Sequence, residues 1–364
     1  MIAYIILMVL ILVEWIFFFS KYKGWFGVPL DYAHKKKFMI LVCVELICFA
    51  GIRALDVGPD MDNYLGSLRH YRSLPHNQIL TAKLVPPFDY EGGYFFFTKL
   101  CAWLSMNETV FLFVVAALIY IPVCWFILQY SENPAIGILV YFTFSGYSYS
   151  LGIYRQMIAL SILLVGSKFI VDRKLLLFLM TVGLAMTFHT TAIILLPFYW
   201  LYKIKLDNKI QFIFIAEVIC FIFARSIIML SVKVFPKYLS MISSQYDVQG
   251  GSYLMLIFLN FVFIAGYILE KRTENAEDEN LRMSLNATVI AIFLQIIGYS
   301  MGLFGRIVPY YSIYLTILIP ALLNKYSKTH KILINFVAAV VMIGMFWFFT
   351  RGTAIDPYRT VFTK

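Results

Sequence analysis

Residues 92–106 read GGYFFFTKLCAWLSM, an apolar run with Lys99 at its centre. Whether this run crosses a membrane decides the direction of every segment that follows it. A spanning helix needs about 20 consecutive, mostly apolar residues, and this run is short and charged in the middle. If it crosses, the loop Asp172-Arg173-Lys174 falls outside, against the preference of basic loops for the cytoplasm. If it lies along the outer surface or re-enters from it, every basic loop falls on the inner side. The second reading is adopted, with a short surface or re-entrant helix near 92–106.

The remainder of the chain is threaded from that choice. The sequence has 364 residues, 61% of them hydrophobic and 14% charged, whereas soluble domains are about a quarter charged. Apolar segments at 2–20, 38–52, 109–129, 134–153, 155–171, 175–189, 190–202, 210–230, 253–269, 285–304, 307–323 and 331–349 predict an all-α polytopic membrane protein. The expectation is about 12 transmembrane helices, both termini outside, and a single integral membrane domain over 1–364. Residues 53–91 form a large external loop and 231–252 a second one. The N-terminal segment lacks a basic leader and an A-x-A-like cleavage site, so it reads as a retained first helix.

The net charge of +10 does not point to nucleic acid. Its basic residues lie in short loops: Lys21, Lys23 and Lys35–Lys37; Arg173 and Lys174; Lys203, Lys205 and Lys209; Lys271, Arg272 and Arg282; Lys325, Lys328 and Lys331. The cysteines, Cys43, Cys48, Cys101, Cys124 and Cys220, all sit in apolar segments without metal-ligand spacing. No repeat, low-complexity tract or soluble domain interrupts the pattern.

Ionisable residues within or beside apolar segments are candidates for function, and here they collect at one side. Arg53 in GIRALDVGPDMDNY (51–64), Arg155 in LGIYRQMIAL (151–160), His189 in FHTTA (188–192) and Arg306 in GLFGRIVPYY (302–311) all fall at expected outer helix ends. Asp56, Asp60, Asp62 and Glu91, the last in FDYEGGY (88–94), join the same layer. Each has a structural alternative. Arg53 could be a snorkelling anchor, Arg306 could mark a bend, and His189 could be a core histidine. Asp60 and Asp62 could serve the Gly58-Pro59 turn, and Glu91 could cap the segment after it.

Taken together, several arginines, a histidine and carboxylates on one membrane face suit an anionic lipid headgroup. Guanidinium holds oxygen anions through paired hydrogen bonds and stays charged near lipid. A carboxylate or histidine could take the proton of an attacking hydroxyl. Tyr90, Tyr94, Tyr147, Tyr149, Tyr154, Tyr310 and Tyr311 could stack on sugar rings. No P-loop, GxSxG or HExxH is present. Asp60-Met61-Asp62 has D-x-D form but lies on the wrong side for cytoplasmic nucleotide sugars, so no metal and no cofactor is expected.

The strings GIRALDVGPDMDNY, FDYEGGY, YRQMIALSI with Phe169-Ile170, and LAMTFHTTAIILLPFY occur in that order between about 50 and 200. In order and rough spacing they resemble the EpsG family of Wzy-type polysaccharide polymerases. GRIVPYY and Asp356-Pro357-Tyr358-Arg359 match more loosely, and 205–285 carries no matching motif. The resemblance implies a bacterial enzyme of O-antigen, capsule or exopolysaccharide assembly in the cytoplasmic (inner) membrane, with its active site on the external, periplasmic side. It would be a GT-C-like, inverting, metal-independent glycosyltransferase joining undecaprenyl-diphosphate-linked oligosaccharide repeat units. That lipid-linked glycan would serve as donor and acceptor, within the membrane lipid, beside a flippase and a chain-length-regulating co-polymerase.

Arg53, Asp60, Glu91, Arg155, Gln156, His189 and Arg306 match the polar positions of the family pattern. From charge alone, Arg155 and Arg306, with Arg53 assisting, are expected to hold the diphosphate. Glu91 or Asp60 is expected to activate the acceptor hydroxyl, with His189 as the rival base or, instead, a diphosphate ligand. Gln156, Tyr94 and Tyr310 are expected to contact diphosphate or sugar. A glycan ligase using the same donor, and a transporter or flippase of lipid-linked oligosaccharide, are the alternatives.

Overall fold

The structure is a computed structural model and describes residues 1–20, 31–88, 90–144, 146–206, 209–234, 250, 252–272, 278–326 and 331–362. Its elements are, in order, α1 (Ile2–Ser20), α2 (Tyr32–Gly51), α3 (Met61–Arg72), α4 (His76–Ile79), α5 (Gly92–Trp103), α6 (Glu108–Tyr130), α7 (Pro134–Thr143), α8 (Gly146–Ser150), α9 (Tyr154–Val171) and α10 (Leu175–Phe188). A 3-10 turn (Thr190–Leu195) and α11 (Phe198–Leu201) follow, then α12 (Ile210–Val234), α13 (Tyr253–Arg272), α14 (Glu279–Ser300), a second 3-10 turn (Gly302–Ile307), α15 (Pro309–Ser312), α16 (Leu315–Tyr326) and α17 (Lys331–Thr350). Among the described residues there is no strand, only an isolated bridge between Arg53 and Thr360.

Six of these helices are long and apolar enough to cross a membrane, or seven if the bent pair Gly302–Ser312 and Leu315–Lys325 counts as one span. Ile2–Phe18, Pro134–Thr143, Leu175–Phe188 and Thr190–Leu201 are shorter apolar helices. The protein is a polytopic helical membrane protein. Apolar side chains exposed along α12, such as Phe212, Ile215 and Ile222, suit lipid as solvent.

Helix starts follow local chemistry. Asn107 caps α6 by accepting from the Val110 amide, Asn133 caps α7 through Ile136, and Asp278 caps α14 through Leu281. Asp31 does the same for α2, whose first two turns carry Lys35–Lys37. The segment 134–153, read from sequence as one crossing, divides into α7 and α8. Residues 190–202 likewise divide into the 3-10 turn and α11. Residues 53–91 contain α3 and α4. In the expected loop 231–252, α12 continues to Val234, and 235–249 and 251 lie outside the described residues.

The deciding stretch forms α5. At 12 residues and 1.5 Å rise it is about 18 Å long, well short of a hydrocarbon core about 30 Å thick. Its central lysine is accounted for locally. Lys99 is buried and its Nζ donates to the carbonyls of Leu80 (2.7 Å) and Ala82 (3.1 Å), with the Phe95 ring beneath it.

The chain forms two compact units, residues 1–196 with 327–364, and residues 197–326. In the second, α14 packs against α12, α13 and α16. In the first, α2 packs on α6, α6 on α9, α9 on α10, α17 on α7, and α3 and α10 each on α5.

Arg53 sets the geometry of the first unit where α2 ends and α9 begins. Its side chain is buried. Nε donates to Val57 O (3.0 Å), Nη1 to Ala50 O (2.7 Å), and Nη2 to Leu151 O (2.8 Å) and to the Tyr154 hydroxyl. A cation bonded to a last-turn carbonyl of α2 also meets the negative end of that helix. The backbones it joins nearly touch: a Cβ on Gly152 would lie 2.3 Å from Pro59 O, and one on Gly58 would lie 2.1 Å from Leu151 O. Side chains cannot be accommodated there, which accounts for the glycines in GPD and LGIYR.

The chain's last described residues hold the same loop from the other side. Ala54 N donates to Arg359 O, Gly58 N to Ala354 O and Val361 N to Ile52 O. Tyr358 stacks on Phe49 and donates to its carbonyl, and Arg359 pairs with Asp56.

Replacing Arg53 with Ala leaves several buried carbonyls without donors, at about 1–3 kcal/mol each. Arg53→Ala is expected to destabilise the detergent-solubilised protein by about 3 kcal/mol or more, read as a fall in unfolding temperature. An unfolding temperature equal to wild type would contradict the clamp.

Candidate active site

Three chain segments of the first unit converge on Glu91. It occupies the N-cap position of α5, yet its carboxylate makes no capping bond to that helix. It faces other elements instead. Arg155 Nη1 donates to Oε2 at 2.6 Å, His189 Nδ1 lies 3.2 Å from Oε1, and the Thr190 amide donates to Oε1 at 3.4 Å.

The positions follow from the backbone. Glu91 is followed by Gly92-Gly93, and a Cβ on Gly93 would lie 2.2 Å from Thr187 Oγ1 and 2.9 Å from Thr187 O. The start of α5 therefore rests directly on the end of α10, two residues before His189. His189 is the extended residue that ends α10 and aims its ring back at the carboxylate. Arg155 is the second residue of α9, where a cation meets the positive end of a helix dipole; Glu91 offsets that cost.

The side chains of Glu91, His189 and Arg155 are 12%, 18% and 28% exposed, so the network is sheltered without being sealed. Burial works against the ionised form of Glu91. The hydrogen bond to His189 and the charge of Arg155 outweigh it, and hold the carboxyl down at about 2 from an ordinary 4.5. Glu91 is thus an anion at all working pH values.

The guanidinium rests on one ring of a cluster of four tyrosines. Arg155 lies over the Tyr90 ring at 4.7 Å. Tyr64 stacks on Tyr154 (5.0 Å between centroids) and meets Tyr94 (5.5 Å) and Tyr90 (5.9 Å). The Arg155 Nε is buried without an acceptor among the described residues.

Asp60 lies at the start of α3 in the left-handed region (φ 59°), exposed, its carboxylate making no cap bond. An aspartate tolerates that conformation in a turn, so the turn role read from sequence is present, with the carboxylate left over. Asp62 is exposed in the first turn of α3.

The remaining candidates are placed differently from a lining role. Arg53 is spent on the clamp. Gln156 is buried, and Tyr94 is fully buried beneath Tyr90, its hydroxyl without a partner among the described residues. Tyr147 and Tyr154 are core residues of the same unit. Arg306, half-buried in its 3-10 turn, and the buried Tyr310 and Tyr311 belong to the second unit. No three His, Cys, Asp or Glu side chains among the described residues assemble as a metal-ligand set. Tyr64 was not singled out in the sequence; its only signal was its place one turn after Asp60.

The class these observations define is a multi-span helical membrane protein with an arginine–carboxylate–histidine network where helix ends meet. A family model, EpsG, matches residues 36–360, and the chain belongs to the EpsG family. Membership points to a glycosyltransferase-like polymerase role in polysaccharide biosynthesis. No curated protein and no solved structure matches the chain.

The depressed Glu91 carboxyl contributes stability that is fully present above the ordinary 4.5 and is lost as pH falls through about 2. Glu91→Gln removes that contribution. The gap in unfolding temperature between wild type and E91Q is expected to be widest above pH 4.5 and to close as pH falls toward 2. A gap independent of pH would contradict the network.

Proposed function

We propose that the protein is a Wzy-type polymerase that joins undecaprenyl-diphosphate-linked oligosaccharide repeat units on the external face of a bacterial cytoplasmic membrane. The observation that carries the reading is the carboxylate of Glu91 held between Arg155 and His189, in a chain of the EpsG family. Such a network offers a cation to a leaving diphosphate and an oriented base to an attacking hydroxyl. The topology that goes with it has about twelve crossings, with α5 along the outer surface and the basic loops in the cytoplasm.

In this mechanism Glu91 orients and does not itself take the proton. A carboxyl held at about 2 is too weak a base for a sugar hydroxyl, since effective bases titrate near the working pH. With Nδ1–H donated to Glu91 Oε1, His189 presents Nε2 to the acceptor. Nε2 takes the proton as the acceptor oxygen attacks the donor's anomeric carbon. The bond from that carbon to the diphosphate oxygen breaks, and its electron pair leaves with undecaprenyl diphosphate. Arg155 neutralises the charge that develops on the diphosphate, and one displacement at the anomeric carbon inverts it. Asp60, exposed and without a cap bond, is a second candidate to receive an acceptor hydroxyl. A flippase supplying repeat units and a chain-length-regulating co-polymerase are the expected partners. The reaction needs no metal.

The test is a reconstituted reaction with the matching lipid-diphosphate repeat unit and a chelator. Wild type is expected to give a ladder of repeat lengths. His189→Ala and Arg155→Ala are expected to lose about 10²- to 10⁴-fold in rate, each remaining folded. A single transfer to another acceptor would replace the polymerase by a ligase, and no product from wild type would overturn both. Activity persisting down toward pH 2 would return the role of base to Glu91.

A further inference from the structure

We infer that Tyr90 is a positioning residue for Arg155, its ring holding one face of the guanidinium while leaving the N–H donors to oxygen. The inference rests on the polymerase reading for its consequence in catalysis, and on the ring contact alone for its geometry.

Tyr90 and Glu91 are consecutive in the chain, and both meet Arg155. The guanidinium carbon lies over the Tyr90 ring, 4.7 Å from its centroid, and Nη1 lies 2.6 Å from Glu91 Oε2. One short stretch of backbone ahead of α5 therefore grips the cation on a face and at an edge. A guanidinium held by the ion pair alone could swing about that one bond. The face contact restricts the swing.

The two contacts differ in what they take from the cation. A carboxylate accepts N–H bonds and offsets the charge. An aromatic face attracts the cation through its quadrupole and leaves the five N–H donors of the guanidinium for oxygen acceptors. The ring thus fixes Arg155 without competing with a diphosphate, whose oxygens need those donors. An aliphatic side chain in its place would fill the space without attracting the charge.

The ring is itself held. Tyr90 is buried, and its hydroxyl donates to Asn63 O (2.9 Å) in the first turn of α3. It meets Tyr94 of α5 nearly at a right angle (5.3 Å between centroids, 84°) and Tyr64 of α3 at 5.9 Å. The ring stands at a fixed place between α3 and α5, and Arg155 takes its position from it. Asn63 follows Asp60 by three residues, so the same ring links the turn that carries Asp60 to the cation. Charge that develops in a transition state is matched best by donors already in place.

The experiment places phenylalanine and its mono-, di- and trifluorinated forms at position 90. Thermal unfolding is read in the wild-type and Arg155→Ala backgrounds, and kinetics in the reconstituted reaction. Every member of the series lacks the hydroxyl, so loss of the Asn63 bond is common to all, while fluorine drains the negative face stepwise. The unfolding temperature is expected to fall stepwise with fluorination, and to lose that trend in Arg155→Ala. Across the series kcat is expected to fall about 2- to 30-fold, with KM close to that of Tyr90→Phe. An unfolding temperature that ignores fluorination, or a trend that persists in Arg155→Ala, overturns the contact whether or not polymer forms. A stepwise unfolding trend with a flat kcat overturns the positioning role. A wild type that makes no polymer defeats the polymerase reading, and the unfolding series then decides the Tyr90–Arg155 contact by itself. Should Tyr90→Phe not fold, ring-fluorinated tyrosines at position 90 keep the hydroxyl and give the same series, and a flat response there overturns the contact.

Discussion

A carboxylate sheltered where helix ends meet has to be matched by donors, and Glu91 takes its donors from two other segments of the chain. That constraint organises the first unit. α5 must bring Glu91 to the start of α9 and the end of α10 together, and Gly93 allows the approach by removing the side chain that would strike Thr187. Arg155 at a helix N-terminus, unfavourable alone, is made acceptable by the same carboxylate. The network is therefore a structural joint as well as the place proposed for the chemistry, and its members occur as polar interruptions in otherwise apolar sequence.

A second buried charge does different work. Arg53 meets no carboxylate among the described residues; it meets carbonyls, a hydroxyl and the negative end of α2. Guanidinium suits this because its five donors radiate in a plane and it keeps its charge when desolvated. The loop it holds carries Asp60 and leads into α3, so the position of Tyr64 and the exposure of Asp60 both follow from one buried residue. Arg53 and Arg155 look alike in sequence, each at a helix end beside glycine-containing turns. One is turned inward on backbone and the other toward a carboxylate.

Much of this was legible in the sequence. Apolar run lengths and basic loops pointed to a polytopic helical protein, and the weak hydropathy around Lys99 marked α5 as too short to span. Glu91, Arg155 and His189 were each visible as charge in an apolar setting. Their mutual contact was not, because it depends on a close approach of α5 and α10 that only the paired glycines after Glu91 hint at. Nor could composition separate lining from core: Gln156, Tyr94 and Tyr310 are buried, and rotation about a helix decides that. Divided segments such as 134–153 were read as single crossings since hydropathy is blind to a break between two buried helices.

The central claim is that Arg155, as Glu91 holds it, is where a lipid diphosphate is received. A cryo-EM structure of the protein in nanodiscs with undecaprenyl diphosphate tests this most directly. The account predicts diphosphate oxygens within hydrogen-bond distance of the Arg155 guanidinium, with the Glu91–His189 contact intact beside them. A diphosphate bound elsewhere, with Arg155 still closed on Glu91 and no ligand density near it, would contradict it.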